Sequence, residues 1–331
     1  MAKNVIYSDT DAMISSQNGK TLRNPSFELL RIVSMLMVVT LHFLGHGGVL
    51  ANVRLFSANY FVAWMIESLA YVAVNCFVLI SGYFLVNSKF KVNKLVTLYG
   101  QIWFYSVVIY LLFSVFGHVE FEPKVFTCCL LPISTKQYLF ATNYVVLYLF
   151  SPFLNIAIRA MTKKQLQQCI ALLMLIWSII PNVIIFVDAF GVAGGYSIYW
   201  FVSLYFAAAY IRLYYTPSFE KAKWLRGYFG FCSLLMFSRI VITFGTQFLF
   251  GAVKGPGRFY SYNSPLVVPA SVCLFLFFVN WNNMNARAYK VILCVSPSTF
   301  AVYLIHDNKV LRDFLWNSLI KPYQYSDHPV M

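Results

Sequence analysis

Charged residues are scarce in this 331-residue sequence, in which Asp, Glu, Lys and Arg together make up only 11%. With 60% hydrophobic residues and a mean hydropathy of +0.68, the chain has too little polar surface to cover a water-soluble globule. Long polar stretches are also missing, because apolar runs long enough to cross a bilayer follow one another closely. The sequence therefore excludes a sizeable soluble domain and predicts a protein embedded in lipid.

Acidic residues are the rarest class, with 11 Asp and Glu against 25 Lys and Arg, which gives a formal charge of +14. The basic residues are spread over many short loops and form no block, so we predict no nucleic-acid partner. The seven cysteines contain no CxxC pair, and most lie in apolar runs where Cys acts as a small hydrophobic residue. We therefore predict neither a bound metal nor a redox role.

The apolar runs predict an all-α polytopic transmembrane bundle of about nine spans. A polar tail covers residues 1–24 and ends at Asn24-Pro25, which is a helix-start signal. The membrane domain is expected over residues 25–308, and an amphipathic segment at the interface over 309–331. The nine predicted helices cover residues 27–45, 60–86, 95–116, 138–158, 166–188, 197–215, 227–251, 262–280 and 289–307, with irregularities expected in the long second run and at Pro152 of the fourth.

The distribution of basic residues predicts a cytoplasmic N-terminus. Fifteen Lys and Arg residues fall on the N-terminal side of the membrane and eight on the other side, which matches the excess expected of cytoplasmic loops. The N-terminal tail has no signal-peptide pattern, so we expect the first helix to be retained.

Two ionisable residues of the first span, Arg31 and His42, are expected to face the same direction. They are eleven residues apart, so they differ by about 20° around the helix axis and by about 16 Å along it. Ionisable side chains are costly inside a membrane and often functional, and an imidazole suits deprotonation of a hydroxyl group. The alternatives are a topology charge for Arg31 and a hydrogen-bonded packing residue for His42. Glu67 and Arg239 also fall inside spans and are candidates for chemistry or for a mutual ion pair.

Further charges are expected near the span ends. On the outer side these are Asp188 and the neighbouring His306 and Asp307, which either join His42 in a site or are simply solvated at the interface. The solvated alternative is favoured for Asp188. On the inner side, Glu28 lies three residues before Arg31 and is placed to pair with it.

Five segments, taken in order, resemble the membrane acyltransferase 3 family. The first carries Arg31 and His42, and the second, VNCFVLISGYFL at residues 74–85, is similar to the FFVLSGF block of that family. Similar segments follow at 143–155, 199–210 and 298–308. The chain departs from the family pattern at Lys91-Val92-Asn93-Lys94, where members often carry Arg-x-x-Arg, and in lacking a tenth helix. Within the second segment, the Ser81-Gly82 pair permits close helix approach, and we interpret it as a packing feature.

The resemblance implies an integral membrane O-acyltransferase of a bacterial cytoplasmic membrane, with an acyl-coenzyme A as co-substrate and no permanently bound cofactor. We expect an O-acetyltransferase acting on a cell-surface polysaccharide or its lipid-linked precursor, and the oligomeric state, including a homo-oligomer, stays open. The expected catalytic residues are His42, Arg31 and Glu67. The expected donor-binding residues are Lys91, Lys94 and Arg239, while His306 and Asp307 lie on the acceptor side. The alternatives are a transporter or flippase for a glycan or lipid-linked sugar and a glycan polymerase, although the short outer segments count against a polymerase.

Overall fold

The structure is a computed structural model that describes residues 24–184, 187–188, 190–218, 220–281 and 285–326. Over these residues the chain is helical with short connections and has no β-strand. Its α-helices are α1 Pro25–Gly45, α2 Val49–Asn52, α3 Ala58–Ala70, α4 Ala73–Leu85, α5 Val92–Val115, α6 Pro123–Leu130, α7 Leu139–Ala160, α8 Lys163–Met174, α9 Ile198–Tyr214, α10 Lys221–Phe250, α11 Val267–Val279, α12 Ala286–Val295, α13 Thr299–His306 and α14 Lys309–Asp313. A π-helix, Leu175–Ile184, continues α8.

The predicted all-α transmembrane architecture is confirmed, and each of the nine predicted runs corresponds to a helical segment. When consecutive helices such as α3 and α4, or α12 and α13, are taken together as one segment, seven segments are long and apolar enough to cross a membrane. The other two, α9 and α11, have only 17 and 13 residues. A helix of 13 residues is about 20 Å long, shorter than the hydrocarbon core of a typical bilayer. Length and composition therefore support seven of the nine predicted spans.

Local chemistry explains where the helices start and where they are irregular. The predicted start at Asn24-Pro25 is confirmed, because the Asn24 side chain caps α1 by accepting a hydrogen bond from the Ser26 amide. The predicted second span is divided into α3 and α4 at residues 71–72. In α7, Pro152 leaves the Tyr148 carbonyl without its usual amide donor, and the Ser151 hydroxyl donates to that carbonyl at 2.7 Å. This bond lets α7 continue through the proline.

The centre of the bundle is formed by α4, α9 and α11. Gly82 of α4 faces α9 so closely that an added Cβ atom would lie 2.9 Å from the Ala208 Cβ, which confirms its interpretation as a packing residue. The fully buried Asn75 of α4 accepts a hydrogen bond from the Trp200 indole of α9 and donates to Ser271 of α11. These bonds fix the three helices relative to one another and satisfy polar groups far from water.

The segment after α13 packs against the bundle. It consists of α14 and a π-helical turn, Phe314–Ile320. Phe314 contacts Phe113 of α5, and Trp316 contacts Phe43 of α1. The segment expected at the interface thus covers the ends of α1 and α5, beside His42.

Candidate active site

A cavity of about 690 Å³ follows one side of α1. Arg31, Met35, Val38, His42 and His46 all line it. Their spacings of four, three, four and four residues place them on one helix face. The prediction that Arg31 and His42 face the same direction is therefore confirmed, and the space along their stripe is open.

The remaining walls combine aromatic and apolar side chains with a few polar groups, as expected of a small-molecule site. Ser81 and Phe77 of α4 line one wall, and the loop before α7 supplies polar residues to another. The cavity is further lined by Val74, Leu98, Thr135, Lys136, Gln137, Leu139, Phe140, Tyr144, Tyr196, Tyr262, Thr299, Phe300, Tyr303, Asp307, Lys309 and Arg312.

His42 and Asp307 approach each other at the α14 end of the cavity. Nδ1 of His42 lies 3.8 Å from Oδ1 of Asp307 and has no hydrogen-bond partner within the part of the chain described. Asp307 also forms an ion pair with Arg312 at 3.4 Å. The two side chains are 19% and 16% exposed, so substrate can reach them although they are mostly buried. If this gap shortened to hydrogen-bond distance, Nδ1–H of His42 would donate to Asp307, which would leave Nε2 available as a base.

The pKa of Asp307, which lies directly after the last helix able to span the membrane, is raised to about 6 by burial. Arg312 and a hydrogen bond from Tyr303 act in the opposite direction and favour the carboxylate. Asp307 is therefore ionised at neutral pH and loses its charge in mildly acidic solution.

His306 lies behind His42 and outside the lining of this cavity. The two rings are 4.9 Å apart between centroids. Nδ1 of His306 is 2.6 Å from the Val302 carbonyl oxygen. Because a carbonyl can only accept, this contact places the proton on Nδ1. His306 is only 6% exposed, so its contact with the His42 ring fits a packing role.

The α14 end also contains a set of metal-type donors. His42, His46 and Asp307 offer one ligand atom each, and these atoms lie within 4.8 Å of one another. Two imidazoles and a carboxylate suit a transition metal such as zinc. The guanidinium of Arg312 beside Asp307 opposes cation binding.

At the opposite end, Arg31 forms an ion pair with Glu28, as predicted from their spacing. Its guanidinium also lies 6.0 Å from the centre of the Phe84 ring of α4. The Arg31 side chain remains 30% exposed. Arg31 therefore presents a positive charge at the start of the cavity and has room to contact an anionic ligand.

Comparison with protein families assigns the chain as a whole. The model of an acyltransferase domain, acyltransferase 3, matches residues 24–325, which is nearly the entire chain. The protein belongs to this family of membrane acyltransferases. The match confirms the resemblance found in the sequence and includes every residue that lines the cavity. Comparison with curated proteins and with solved structures finds no match.

In this acyltransferase, Glu67 and Arg239 form a buried cluster that does not contribute to the lining of the cavity. The Arg239 guanidinium stacks on the Trp64 ring of α3, and its Nε donates to the Tyr60 hydroxyl at 3.1 Å. Glu67 is close enough for its charge to interact with that of Arg239. The two side chains form no ion-pair contact, and one carboxylate oxygen of Glu67 is buried without a hydrogen-bond partner among the described residues. Because Arg239 does not line the cavity, the arrangement gives no support to its contact with a donor there.

The other predicted charges lie at the periphery of the acyltransferase. Lys91 and Lys94, at the start of α5, are exposed and do not line the cavity, although the α4–α5 connection lies at the Arg31 end. Asp188 is exposed and accepts hydrogen bonds from the amides of Val192 and Ala193, both at 2.7 Å. Asp188 therefore organises its own loop.

Sequence reasoning missed several residues that line the cavity. Tyr196 and Tyr262 come from separate loops and meet through a hydroxyl contact of 3.3 Å. Lys136, Lys309 and Arg312 are among the eight basic residues predicted on the outer side of the membrane, and none of them is predicted to bind a ligand. Only their positions next to the ends of spans could have indicated that they line the cavity, because contact between distant loops leaves no periodic pattern in a sequence.

Proposed function

We propose that the chain transfers an acyl group from acyl-coenzyme A to a hydroxyl group of a glycan across the face of α1. The observation that carries this proposal is the continuous cavity that joins Arg31 to His42. A positive charge at one end and an imidazole with a carboxylate neighbour at the other end suit a phosphate-bearing donor and a hydroxyl acceptor.

The donor is assigned to the Arg31 end. Arg31 would contact the phosphates nearest the cavity, and the exposed Lys91 and Lys94 would attract the polyanionic coenzyme from solution as point charges. The thioester would extend along Met35 and Val38 toward His42, a distance of about 16 Å along the helix. With the N-terminus inside, as the charge distribution indicates, the donor approaches from the cytoplasm.

The acceptor is assigned to the His42 end. In direct transfer, Nε2 of His42 takes the proton of the acceptor hydroxyl while its oxygen attacks the thioester carbonyl and the coenzyme leaves as a thiolate. In the covalent route, His42 itself is acylated first and the acceptor then displaces it. Asp307 stabilises the imidazolium in the first route and orients the ring in both.

We propose acetyl as the acyl group and a cell-surface glycan or its lipid-linked precursor as the acceptor. The aromatic rings of Phe140, Tyr144, Phe300 and Tyr303 along the cavity support a sugar-containing acceptor, since the apolar faces of sugar rings pack against aromatic side chains. The expected location is the cytoplasmic membrane of a bacterium, with the acceptor on the outer face.

The test uses membranes containing the full chain, labelled acetyl-coenzyme A and glycan acceptor, scored for label in the glycan. His42→Ala is expected to abolish labelling, whereas His118→Ala, at an exposed position away from the cavity, is expected to retain it. Labelling that survives His42→Ala would overturn the mechanism. Export of a lipid-linked sugar without labelling would favour the transporter alternative, for which the same cavity would be the pathway.

A further inference from the structure

The α14 end of the cavity carries more positive than negative charge. Lys136, Lys309 and Arg312 line it there, against the single carboxylate of Asp307. Asp307 is already paired with Arg312. Neither lysine forms an ion pair among the residues that the structure describes. Arg312 also pairs with Asp313 at 3.7 Å, and the charge of Lys309 interacts with Asp307. Two carboxylates still face three cations, so positive charge at the rim is left to meet charge supplied by a ligand.

Lys136 carries its side chain at a backbone position that favours glycine. Its φ of 52° lies in the left-handed region, which side-chain-bearing residues other than Asn and Asp seldom adopt. A glycine would be accommodated more easily there. Such a residue persists where its side chain has a function or the surroundings impose the conformation.

Lys309 is held in place by a separate set of hydrogen bonds. The preceding residue, Asn308, caps α14 by accepting from the amides of Val310 and Leu311. Its side-chain amide donates to the Tyr138 hydroxyl at 2.8 Å, and that hydroxyl donates to the Leu304 carbonyl oxygen. This buried network fixes the start of α14 relative to α7 and α13. Lys309 is therefore presented at the rim from a rigid base, which favours binding over general solvation.

From this charge distribution we propose that the acceptor is anionic, with a carboxylate or phosphate near the hydroxyl that is acylated. Lys136 and Lys309 contact that anion, while Arg312 remains with Asp307. The inference rests on the proposed function, because the donor phosphates are assigned to Arg31 at the opposite end of the stripe. Two sources supply this chemistry, an acidic sugar in the glycan and the diphosphate of a lipid-linked precursor.

The first experiment compares acceptors that differ only in charge. Purified full-length enzyme is given labelled acetyl-coenzyme A with a galacturonate trisaccharide or with its carboxyl-reduced, neutral counterpart. A third acceptor is a neutral disaccharide on polyprenyl diphosphate, and the fourth is the same disaccharide released from its lipid. We expect kcat/KM to be at least roughly tenfold higher for one charged acceptor than for its neutral partner. The pair that shows the difference identifies the source of the anion, and equal values within both pairs would overturn the proposal.

The second experiment uses two lysines with the same backbone conformation. Lys321 has a φ of 50° and does not line the cavity, so Lys321→Gly is the matched control for Lys136→Gly. Both changes remove one positive charge and relieve a left-handed side chain, so both variants are expected to fold. Lys136→Gly is expected to lower kcat/KM roughly tenfold for the charged acceptor alone. Lys321→Gly is expected to leave it unchanged, and equal effects of the two variants would contradict the proposal.

A binding measurement separates this inference from the proposed function. Titration calorimetry without acyl donor compares the galacturonate trisaccharide, its neutral counterpart and inorganic pyrophosphate. Charge-selective binding that Lys136→Gly weakens, together with no acyl transfer to any acceptor, would support the anion site and refute the transferase function. Acyl transfer without charge-selective binding would support the transferase function and refute the anion site.

Discussion

At the scale of single residues, the contact between His42 and Asp307 carries the proposed chemistry. Asp307→Asn keeps the shape of the side chain and removes its charge, so the His42 imidazolium loses its stabilising partner. We expect kcat to fall on the order of 100-fold, within the range that positioned acid–base groups contribute. The measurement is steady-state acyl transfer by purified protein, with His42→Ala as the inactive reference. Unchanged kcat in Asp307→Asn would exclude a role for the carboxylate.

The elevated pKa of Asp307 predicts an acid limb in the activity profile. The carboxylate is lost as the pH falls through about 6, so kcat should decrease about tenfold per pH unit below that value. In Asp307→Asn the component of this limb with its midpoint near pH 6 should be absent, and loss of activity through protonation of His42 should remain. The effect on stability has the opposite sign, because a carboxyl group with a raised folded-state pKa binds its proton more tightly when folded. Its contribution to stability should therefore increase as the pH falls from about 6 toward 4, and pH profiles of kcat and of the thermal midpoint check both effects.

The Glu67 and Arg239 cluster is expected to stabilise the fold. Arg239→Met removes the hydrogen bond to Tyr60, the cationic stacking on Trp64 and the positive charge nearest Glu67, which should lower the free energy of unfolding by about 1–3 kcal/mol. Adding Glu67→Gln should restore part of the loss, and Glu67→Gln alone should retain acyl transfer because Glu67 does not line the cavity. Thermal denaturation of the four proteins in detergent measures the coupling. Loss of acyl transfer without loss of stability in Glu67→Gln would instead support the catalytic role first predicted for Glu67.

At the scale of helices, the contact between α4 and α9 depends on a missing side chain. A Cβ atom at Gly82 would lie 3.0 Å from the Tyr205 Cα and closer still to Ala208. Gly82→Ala should therefore destabilise the protein by about 1–3 kcal/mol through overpacking. Gly100→Ala in α5 is the matched control, because an added Cβ there meets no atom within 4 Å. The control should raise stability by about 0.5–1 kcal/mol through helix propensity, and equal thermal midpoints for the two variants would refute the close packing.

The limits of prediction are also clearest at the scale of helices. Hydrophobic runs predicted the positions of α1 and α7 within a few residues, because the need to satisfy backbone groups in lipid leaves few alternatives to a helix. The prediction of 197–215 for α9 was equally close, whereas the helix predicted over 262–280 begins only at Val267 in α11. Both are apolar on nearly every face, so their sequences do not distinguish a helix facing lipid from one enclosed by other helices.

At the scale of the whole molecule, the charge distribution predicts which end of the cavity faces outward. With the N-terminus inside, residue 88 between α4 and α5 lies inside and residue 120 between α5 and α6 lies outside. A membrane-impermeant maleimide should therefore label Glu120→Cys in intact cells. Ser88→Cys should be labelled only after the membrane is opened. The reverse pattern would place the His42 end inside and overturn the assignment of donor and acceptor sides.

The sequence by itself determined the membrane class, the helical positions and the Arg31 and His42 stripe. Composition and the 3.6-residue repeat are properties of the local sequence, so they can be recognised without knowing the fold. Only the tertiary structure decided that Asp307 approaches His42, that the rim lysines line the same cavity, and that Glu67 and Arg239 lie outside it. Those relations join residues far apart in sequence, such as His42 with Asp307, through the packing of α1 against α13. Packing depends on the shapes of all the helices together, and no local pattern encodes it.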